Sequence, residues 1–124
     1  DISDVVIEVN KKENPDIKYL HQYIGRQDLV PSDYFDVVFC GETIEHLDQP
    51  EILFVDAYRV LKTGGKLIIT TPNQDHIKSD EHVWFYEEED VKKLYEDNGF
   101  KDVEFVELPD TEHLFVIFGI GVKE

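Results

Sequence analysis

A chain of 124 residues is long enough for one modest hydrophobic core, so we expect a single domain over residues 1–124. Its 28 acidic residues outnumber the 12 basic residues, and the formal net charge of −16 argues against nucleic acid or an anionic membrane as a partner. No apolar run approaches the roughly 20 residues of a membrane-spanning helix, and there is no signal pattern, so the sequence predicts a cytoplasmic protein.

The first part of the chain is predicted to form a helix and then a strand. Ser3 can cap a helix over residues 3–10, because its side-chain oxygen can accept a backbone N–H bond. Three valines are expected on the inward face of this helix: Val5, Val6 and Val9. An Asn-Pro-Asp sequence at residues 14–16 ends it, and residues 17–24 alternate as a strand does.

The middle of the chain predicts a strand, a helix and a second strand. Residues 36–40 are apolar after their first acid, which is typical of a strand covered on both faces, and Cys40 within it reads as a small buried hydrophobe. Asp48 is predicted to cap the helix that follows. The inward face of that helix is expected to carry Leu53, Ala57, Val60 and Leu61. The glycine pair at residues 64–65 supplies a left-handed turn that ends it, and residues 66–71 form the next strand.

The last part predicts a helix and a hairpin. An acidic run opens a helix over residues 88–98, and Gly99 ends it. Its inward residues are expected to be Val91, Leu94 and Tyr95. Residues 103–108 and 114–122 are strand-like, and the turn-rich residues 109–112 between them indicate an antiparallel hairpin.

Two segments resemble a known family. Residues 35–47 read FDVVFCGETIEHL and residues 61–73 read LKTGGKLIITTPN, and both are similar to the fourth and fifth strand regions of class I S-adenosylmethionine-dependent methyltransferases. The resemblance implies an α/β fold with a Rossmann-like, mostly parallel sheet and a C-terminal antiparallel hairpin. The glycine-rich cofactor loop is absent and no methionine is present. We therefore expect a partial, N-terminally truncated methyltransferase domain that lacks the first strand of the family.

The resemblance also implies where S-adenosylmethionine would bind. Asp1, in the sequence Asp-Ile-Ser, stands where the family places the acid that binds the ribose, although an exposed terminal acid is the other reading. Tyr23 stands at the adenine position, with Ile24 as an alternative, and a plain core or edge residue is the other interpretation of both. The residues expected against the sulfonium, at the carboxyl end of the fourth strand, are Cys40, Gly41 and Glu42.

An acidic–histidine cluster follows that strand. If a helical turn begins at Glu42, then Glu42, Glu45 and His46 project from one side of it. Two carboxylates and an imidazole can hold a divalent cation or act as acid and base.

The cluster resembles the Mg²⁺ site of ubiquinone-biosynthesis O-methyltransferases and the metal site of small-RNA 2′-O-methyltransferases. The resemblance makes Glu42, Glu45 and His46 candidate metal ligands, with His82 as a further ligand and His76 as the weaker choice for that position. Without a metal, His46 beside Glu45 is a candidate general base. A structural role for both side chains, with Glu45 capping a helix, is the remaining alternative.

Two functions stay open at this point. The first is methyl transfer from S-adenosylmethionine to a small-molecule acceptor, such as a metabolite, a sugar or a quinol-like compound. The second is a non-catalytic methyltransferase-fold domain that serves packing or partner binding. Because the family's first strand is central, its absence predicts unpaired strand edges and self-association.

Overall fold

The computed structural model describes residues 3–25, 29–73, 84, 86–107 and 116–124. Its elements are α1 (Asp4–Glu13), β1 (Phe35–Gly41), a 3₁₀ helix (Ile44–His46), α2 (Glu51–Val60), β2 (Leu61–Pro72), α3 (Glu88–Asp97), β3 (Phe100–Phe105) and β4 (Val116–Lys123). None of the helices in these ranges is both long and apolar enough to cross a bilayer.

The described strands form one mixed sheet in the order β1-β2-β4-β3. β1 runs parallel to β2, whereas β4 runs antiparallel to both β2 and β3. The parallel pair is connected through α2, and β3 and β4 form the C-terminal antiparallel pair, although residues 108–115 between them lie outside the described ranges. The α/β fold with a C-terminal hairpin is therefore confirmed.

The hydrophobic core lies between the sheet and the helices α2 and α3. Its largest buried aromatic side chains, Phe54, Tyr95 and Phe100, contact one another edge to face. The single hydroxyl proton of Tyr95 is shared between the carbonyls of Leu67 at 3.1 Å and Gly119 at 2.9 Å, which ties α3 to the two central strands. The predicted helix over residues 88–98 is thus confirmed, including the inward position of Tyr95.

The N-terminal helix is confirmed, but its predicted inward face is wrong. Ser3 caps α1, since its hydroxyl oxygen accepts a hydrogen bond from the amide of Val6 at 3.3 Å. Ile7 is the buried residue of this helix, and all three valines that were expected to face inward are exposed. The reason is that the contacts of α1 lie on the side of Ile7 and Asn10, where Tyr19 donates its hydroxyl proton to the Asn10 carbonyl.

Residues 17–24 do not form the predicted strand. They follow an irregular path that ends in a turn. A strand needs a hydrogen-bonded neighbour, and no strand within the described ranges lies beside this segment. The alternation of polar and apolar residues in this segment is therefore not accompanied by the backbone hydrogen bonds of a strand.

Strand β1 is not covered on both faces by the described part of the chain, contrary to prediction. Val38 and Cys40 pack against the core, but Val37 and Phe39 on the opposite face are exposed, Phe39 by 63%. Within the described ranges β2 is the only strand beside β1, so β1 is an edge of the sheet. Separately, no described element covers the face that carries Val37 and Phe39.

The predicted limits of α2 are also corrected. The residue that caps α2 is Pro50, with no side-chain hydrogen bond, so Asp48 is not the cap. The helix ends at Val60 because Leu61 is already extended. The left-handed turn exists at Gly64, with φ of 83°, but it lies inside β2 after the helix has ended.

Candidate functional site

The candidate site lies where the parallel strands β1 and β2 end at the same edge of the sheet. The register pairs Gly41 of β1 with Thr70 of β2. One residue further on, the amide of Glu42 donates a hydrogen bond to the Thr70 carbonyl at 2.8 Å, and Thr43 donates its hydroxyl proton to the Gly41 carbonyl at 2.9 Å. These bonds fix the start of the loop that carries the acidic–histidine cluster.

The predicted helical turn from Glu42 is wrong. Glu42 has φ of 47°, which lies in the left-handed region, and the 3₁₀ helix covers only Ile44–His46. The two carboxyl groups nevertheless interact. Partial burial, together with the charge of Glu45 and a hydrogen bond to it, raises the pKa of Glu42 to about 6, although His46 acts in the opposite direction. The cluster is therefore assembled by a tight turn and not by one face of an α-helix.

Glu45 is held in a buried position next to His46. Its side chain is 2% exposed, and the hydroxyl of Thr71 donates a hydrogen bond to its Oε2 at 2.9 Å. The other oxygen, Oε1, lies 3.7 Å from Nε2 of His46, whose side chain is 38% exposed. This arrangement places an anchored carboxylate behind an imidazole that solvent and a ligand can reach.

A second segment, which contains Trp84 and Tyr86, donates hydrogen bonds to three backbone carbonyls of the same loop. The amide of Trp84 donates to the Glu45 carbonyl at 3.1 Å, and its indole N–H donates to the Leu47 carbonyl at 2.8 Å. The hydroxyl of Tyr86 donates to the Ile44 carbonyl at 3.4 Å. Tyr86 is buried, Trp84 is 45% exposed, and both side chains line one cavity beside this loop.

The residues of the described ranges do not form a metal centre. No group of three or more His, Cys, Asp or Glu side chains within those ranges is placed to hold an ion. Glu45 already uses one oxygen to accept the hydroxyl proton of Thr71 and is buried, which leaves little room for Mg²⁺ and its waters. His82 lies outside the described residues, as does His76.

Two of the candidate cofactor residues, Tyr23 and Cys40, line cavities, and a third cavity lies beside these two. Tyr23 lines a cavity of about 360 Å³ against α1, and Cys40 lines one of about 270 Å³ between β1 and α2. A third cavity of about 280 Å³ involves Leu47, Asp48, Gln49 and Ile52, none of which the sequence singled out as a site residue. Ile24 lines all three. Sites for small molecules are usually about 300–1,000 Å³, so the first cavity lies at the lower end of that range and the other two lie just below it.

The side chains proposed for the sulfonium region differ in their surroundings. Burial raises the pKa of the Cys40 thiol, which is partly buried, so it is a poor nucleophile. A side chain at Gly41 would come within 2.9 Å of the Phe39 ring and 3.3 Å of the Thr70 hydroxyl, so the position is tight, although the exposed Phe39 ring can move aside. Glu42 is largely exposed at the edge of the sheet, and its carboxyl group is only partly shielded from water. Asp1, the ribose candidate, lies outside the described residues.

The sequence of this chain is similar to those of known methyltransferases. The profile of a family described as "Methyltransferase domain" matches residues 1–69. The mitochondrial ubiquinone biosynthesis O-methyltransferase of Candida albicans is 29% identical over 90 residues, which cover 68% of this chain and 26% of that protein. The chloroplastic 2-methyl-6-phytyl-1,4-hydroquinone methyltransferase of Arabidopsis thaliana is 34% identical over 79 residues, or 60% of this chain and 23% of that protein. The chain thus spans about a quarter of the length of these relatives.

The fold has clear counterparts among solved structures. A SAM-dependent methyltransferase of Thermotoga maritima, described as a possible histamine N-methyltransferase, superposes with a TM-score of 0.80 at 20% identity. The superposition covers all of this chain (100%) and 72% of that protein. At this identity the likeness establishes the fold, and it confirms the Rossmann-like class that the sequence predicted.

Proposed function

Because the chain belongs to the methyltransferase-domain family, we propose that it serves S-adenosylmethionine-dependent methyl transfer to a small-molecule acceptor. The observation that carries the proposal is the buried Glu45 carboxylate, anchored by Thr71 and facing the accessible His46 imidazole. An anchored carboxylate behind an imidazole is a common arrangement for a general base. It lies at the carboxyl ends of parallel strands, where open α/β sheets bind their ligands.

The chemistry of this pair follows from its geometry. When bound, S-adenosylmethionine supplies an electrophilic methyl group on its sulfonium. His46 would accept the proton of the acceptor hydroxyl or amine as that atom takes up the methyl group, and the imidazole ring would then hold the proton. Glu45 stabilises the imidazolium that forms, because its charge is 3.7 Å away and shielded from water.

The net charge of the chain supports a small molecule, rather than RNA, as the methyl acceptor. The formal net charge of −16 disfavours polyanionic acceptors such as RNA. The two relatives described above are named for ubiquinone biosynthesis and for a hydroquinone, so a quinol-like or other small hydroxylated acceptor is our first choice.

The cofactor contacts are part of the proposal. We assign Asp1 to the ribose, Tyr23 to the adenine ring, and Cys40, Gly41 and Glu42 to the region of the sulfonium. Tyr23 is 60% exposed, and an exposed ring can stack on a base. Glu42 can favour a cationic sulfonium when it is ionised, above its raised pKa of about 6.

Mg²⁺ chemistry through Glu42, Glu45, His46 and His82 is the competing hypothesis. It is disfavoured by the absence of a three-ligand group within the described residues and by the hydrogen bond that Oε2 of Glu45 accepts from Thr71. Addition of Mg²⁺ or of EDTA to a transfer assay decides between the two. Methyl transfer that does not depend on metal supports His46 as the general base. If EDTA removes the activity and Mg²⁺ restores it, the general-base hypothesis is overturned.

The first test is calorimetric titration of the chain with S-adenosylhomocysteine. Micromolar binding supports the enzyme, and no heat at high protein concentration favours the non-catalytic alternative. The second test compares His46→Gln with Lys101→Gln, since Lys101 is exposed on β3 and pairs with Glu124 at the other end of the sheet. In an assay with a quinol acceptor and S-adenosylmethionine, we expect a loss of about 10²–10⁴-fold in kcat for His46→Gln alone.

Self-association through the β1 edge is the remaining part of the proposal. The exposed side chains of Val37 and Phe39 and the free side of the edge strand within the described ranges support it. Light scattering at low micromolar concentration should show dimers, and a monomer contradicts this part. The cytoplasmic location remains a prediction, because the two relatives are named as mitochondrial and chloroplastic proteins.

A further inference from the structure

The cavity that Trp84 and Tyr86 line has no part in the proposed methyl transfer. Its volume is about 500 Å³, which exceeds that of each of the three cavities around Ile24. Sites for small molecules usually measure about 300–1,000 Å³, so this cavity lies well within their range. It shares no lining residue with the other three, and it is therefore a separate candidate site.

Hydrogen bonds hold the aromatic wall of this cavity in place. Trp84 donates from its amide to the Glu45 carbonyl and from its indole to the Leu47 carbonyl, and the Tyr86 hydroxyl donates to the Ile44 carbonyl. Trp84 lines the cavity although 45% of its surface stays exposed. A ligand can therefore reach an aromatic surface that is already positioned.

The rest of the lining carries an excess of negative charge. It includes the carboxylates of Glu51, Asp90 and Asp97, and its one basic residue, Lys93, forms an ion pair with Asp97. The Asp90 carboxylate accepts the backbone amide of Glu87 at 2.8 Å, which orients the carboxylate but leaves its charge in place. Within the described part of the chain neither Glu51 nor Asp90 has a cationic partner, so the cavity has two carboxylates without a counter-charge.

The charge of these carboxylates reaches the aromatic wall. The pKa of the Tyr86 hydroxyl is raised, mainly by burial and then by the negative charges of Glu51, Glu45 and Asp90. A negative field and the face of an aromatic ring both attract a cation. The two kinds of lining residue therefore favour the same type of ligand.

We propose that this cavity binds a small organic cation, with an alkylated ammonium group beside Trp84 and Tyr86 and its charge offset by Glu51 and Asp90. Alkylated ammonium groups are recognised by aromatic rings, whereas a metal ion needs several ligands that converge on one point. No group of three or more His, Cys, Asp or Glu side chains among the described residues is placed to hold a metal ion. The proposal does not depend on methyl transfer.

The test compares choline with its neutral isostere 3,3-dimethyl-1-butanol. Trp84 is the only tryptophan of the chain, so tryptophan fluorescence reports on this cavity directly. We expect a saturable change with choline and a half-saturation concentration at least about tenfold higher for the isostere, because only choline carries the charge. An equal response to the two compounds overturns the proposal, and so does a response to choline that NaCl at equal ionic strength reproduces.

A pair of charge variants tests the location of the site. Glu51→Gln removes one carboxylate from the cavity, and Glu8→Gln makes the same change at an exposed residue of α1 that does not line it. The first variant should bind choline about two- to fivefold more weakly than the second. Equal binding by the two variants contradicts the assigned position. If Glu51→Gln does not fold, the isostere comparison decides without it.

A pair of ring variants tests the aromatic contact. Trp84→Phe and Trp84→Leu both lose the indole hydrogen bond, but only the first keeps an aromatic ring. Saturation transfer from the protein to the choline methyl groups should persist in Trp84→Phe and largely disappear in Trp84→Leu. Equal transfer in the two folded variants overturns the role of the ring. Choline binding without S-adenosylhomocysteine binding supports the cation site and counts against the proposed function, whereas the reverse result removes the cation site alone.

Discussion

The carboxyl group of Glu42 interacts directly with that of Glu45 at the end of β1, and this contact contributes to a raised pKa of about 6 for Glu42. Partial burial is the largest cause, followed by the charge of Glu45 and the hydrogen bond between the two groups. A carboxyl group with a raised pKa is easier to protonate in the folded protein than in the unfolded chain.

This contact predicts a pH dependence of stability. The stabilisation from protonated Glu42 is fully present below its ordinary pKa of 4.5 and is lost as the pH rises through about 6. Glu42→Gln should therefore be more stable relative to the wild type at neutral pH than at pH ~4.5, by about 1 kcal/mol or less because the group is partly exposed to solvent. Thermal melts of both proteins across this interval measure the difference, and a difference that does not vary with pH contradicts the assigned pKa.

Tyr95→Phe should destabilise the fold by about 1–3 kcal/mol. The substitution removes one hydroxyl and leaves the buried carbonyls of Leu67 and Gly119 without their donor. Tyr58→Phe is the matched control, because the Tyr58 hydroxyl makes only a long, exposed hydrogen bond of 3.4 Å to the Glu124 carbonyl. Urea unfolding should show a clear shift for the first variant and little for the second. Equal shifts would mean that the two carbonyls find other partners.

The parts of the fold that could be predicted are those whose partners lie nearby in sequence. The run from β1 through α2 to β2 and the pairing of β3 with β4 follow from hydrophobic patterns and turn residues. The inward face of α1 and the path of residues 17–24 could not be predicted, because each depends on which elements lie beside it.

The candidate site could also be predicted only in part from the sequence. The proximity of Glu45 and His46 follows from their positions in the chain, but the left-handed backbone of Glu42 does not. Thr71 is 26 residues from Glu45, and their contact depends on the register between parallel strands. Its only sequence signal is a hydroxyl residue at the end of a predicted strand, which many structural threonines share.

Asp102→Gly should stabilise the protein by about 0.5–1 kcal/mol. Asp102 has φ of 50° and lies where the register between β3 and β4 shifts, between Lys101 and Glu104. Glycine adopts this left-handed conformation without the steric penalty of a side chain, as at other bulges. Glu104→Gly, at a regularly paired position, should destabilise because it only adds flexibility. A lower melting temperature for Asp102→Gly would show that the aspartate side chain stabilises the bulge.

Trp84→Phe should loosen the loop that carries Glu45 and His46. The phenyl ring cannot donate the 2.8 Å hydrogen bond to the Leu47 carbonyl, although it retains most of the apolar contact. The expected cost is about 0.5–1.5 kcal/mol, and it should appear locally as faster hydrogen exchange at the amides of His46 and Leu47, which close the 3₁₀ helix. Tyr34→Phe, an exposed change at the opposite end of β1, serves as the control and should leave these amides unchanged. If exchange at the two amides is the same in both variants, the indole hydrogen bond does not hold the loop.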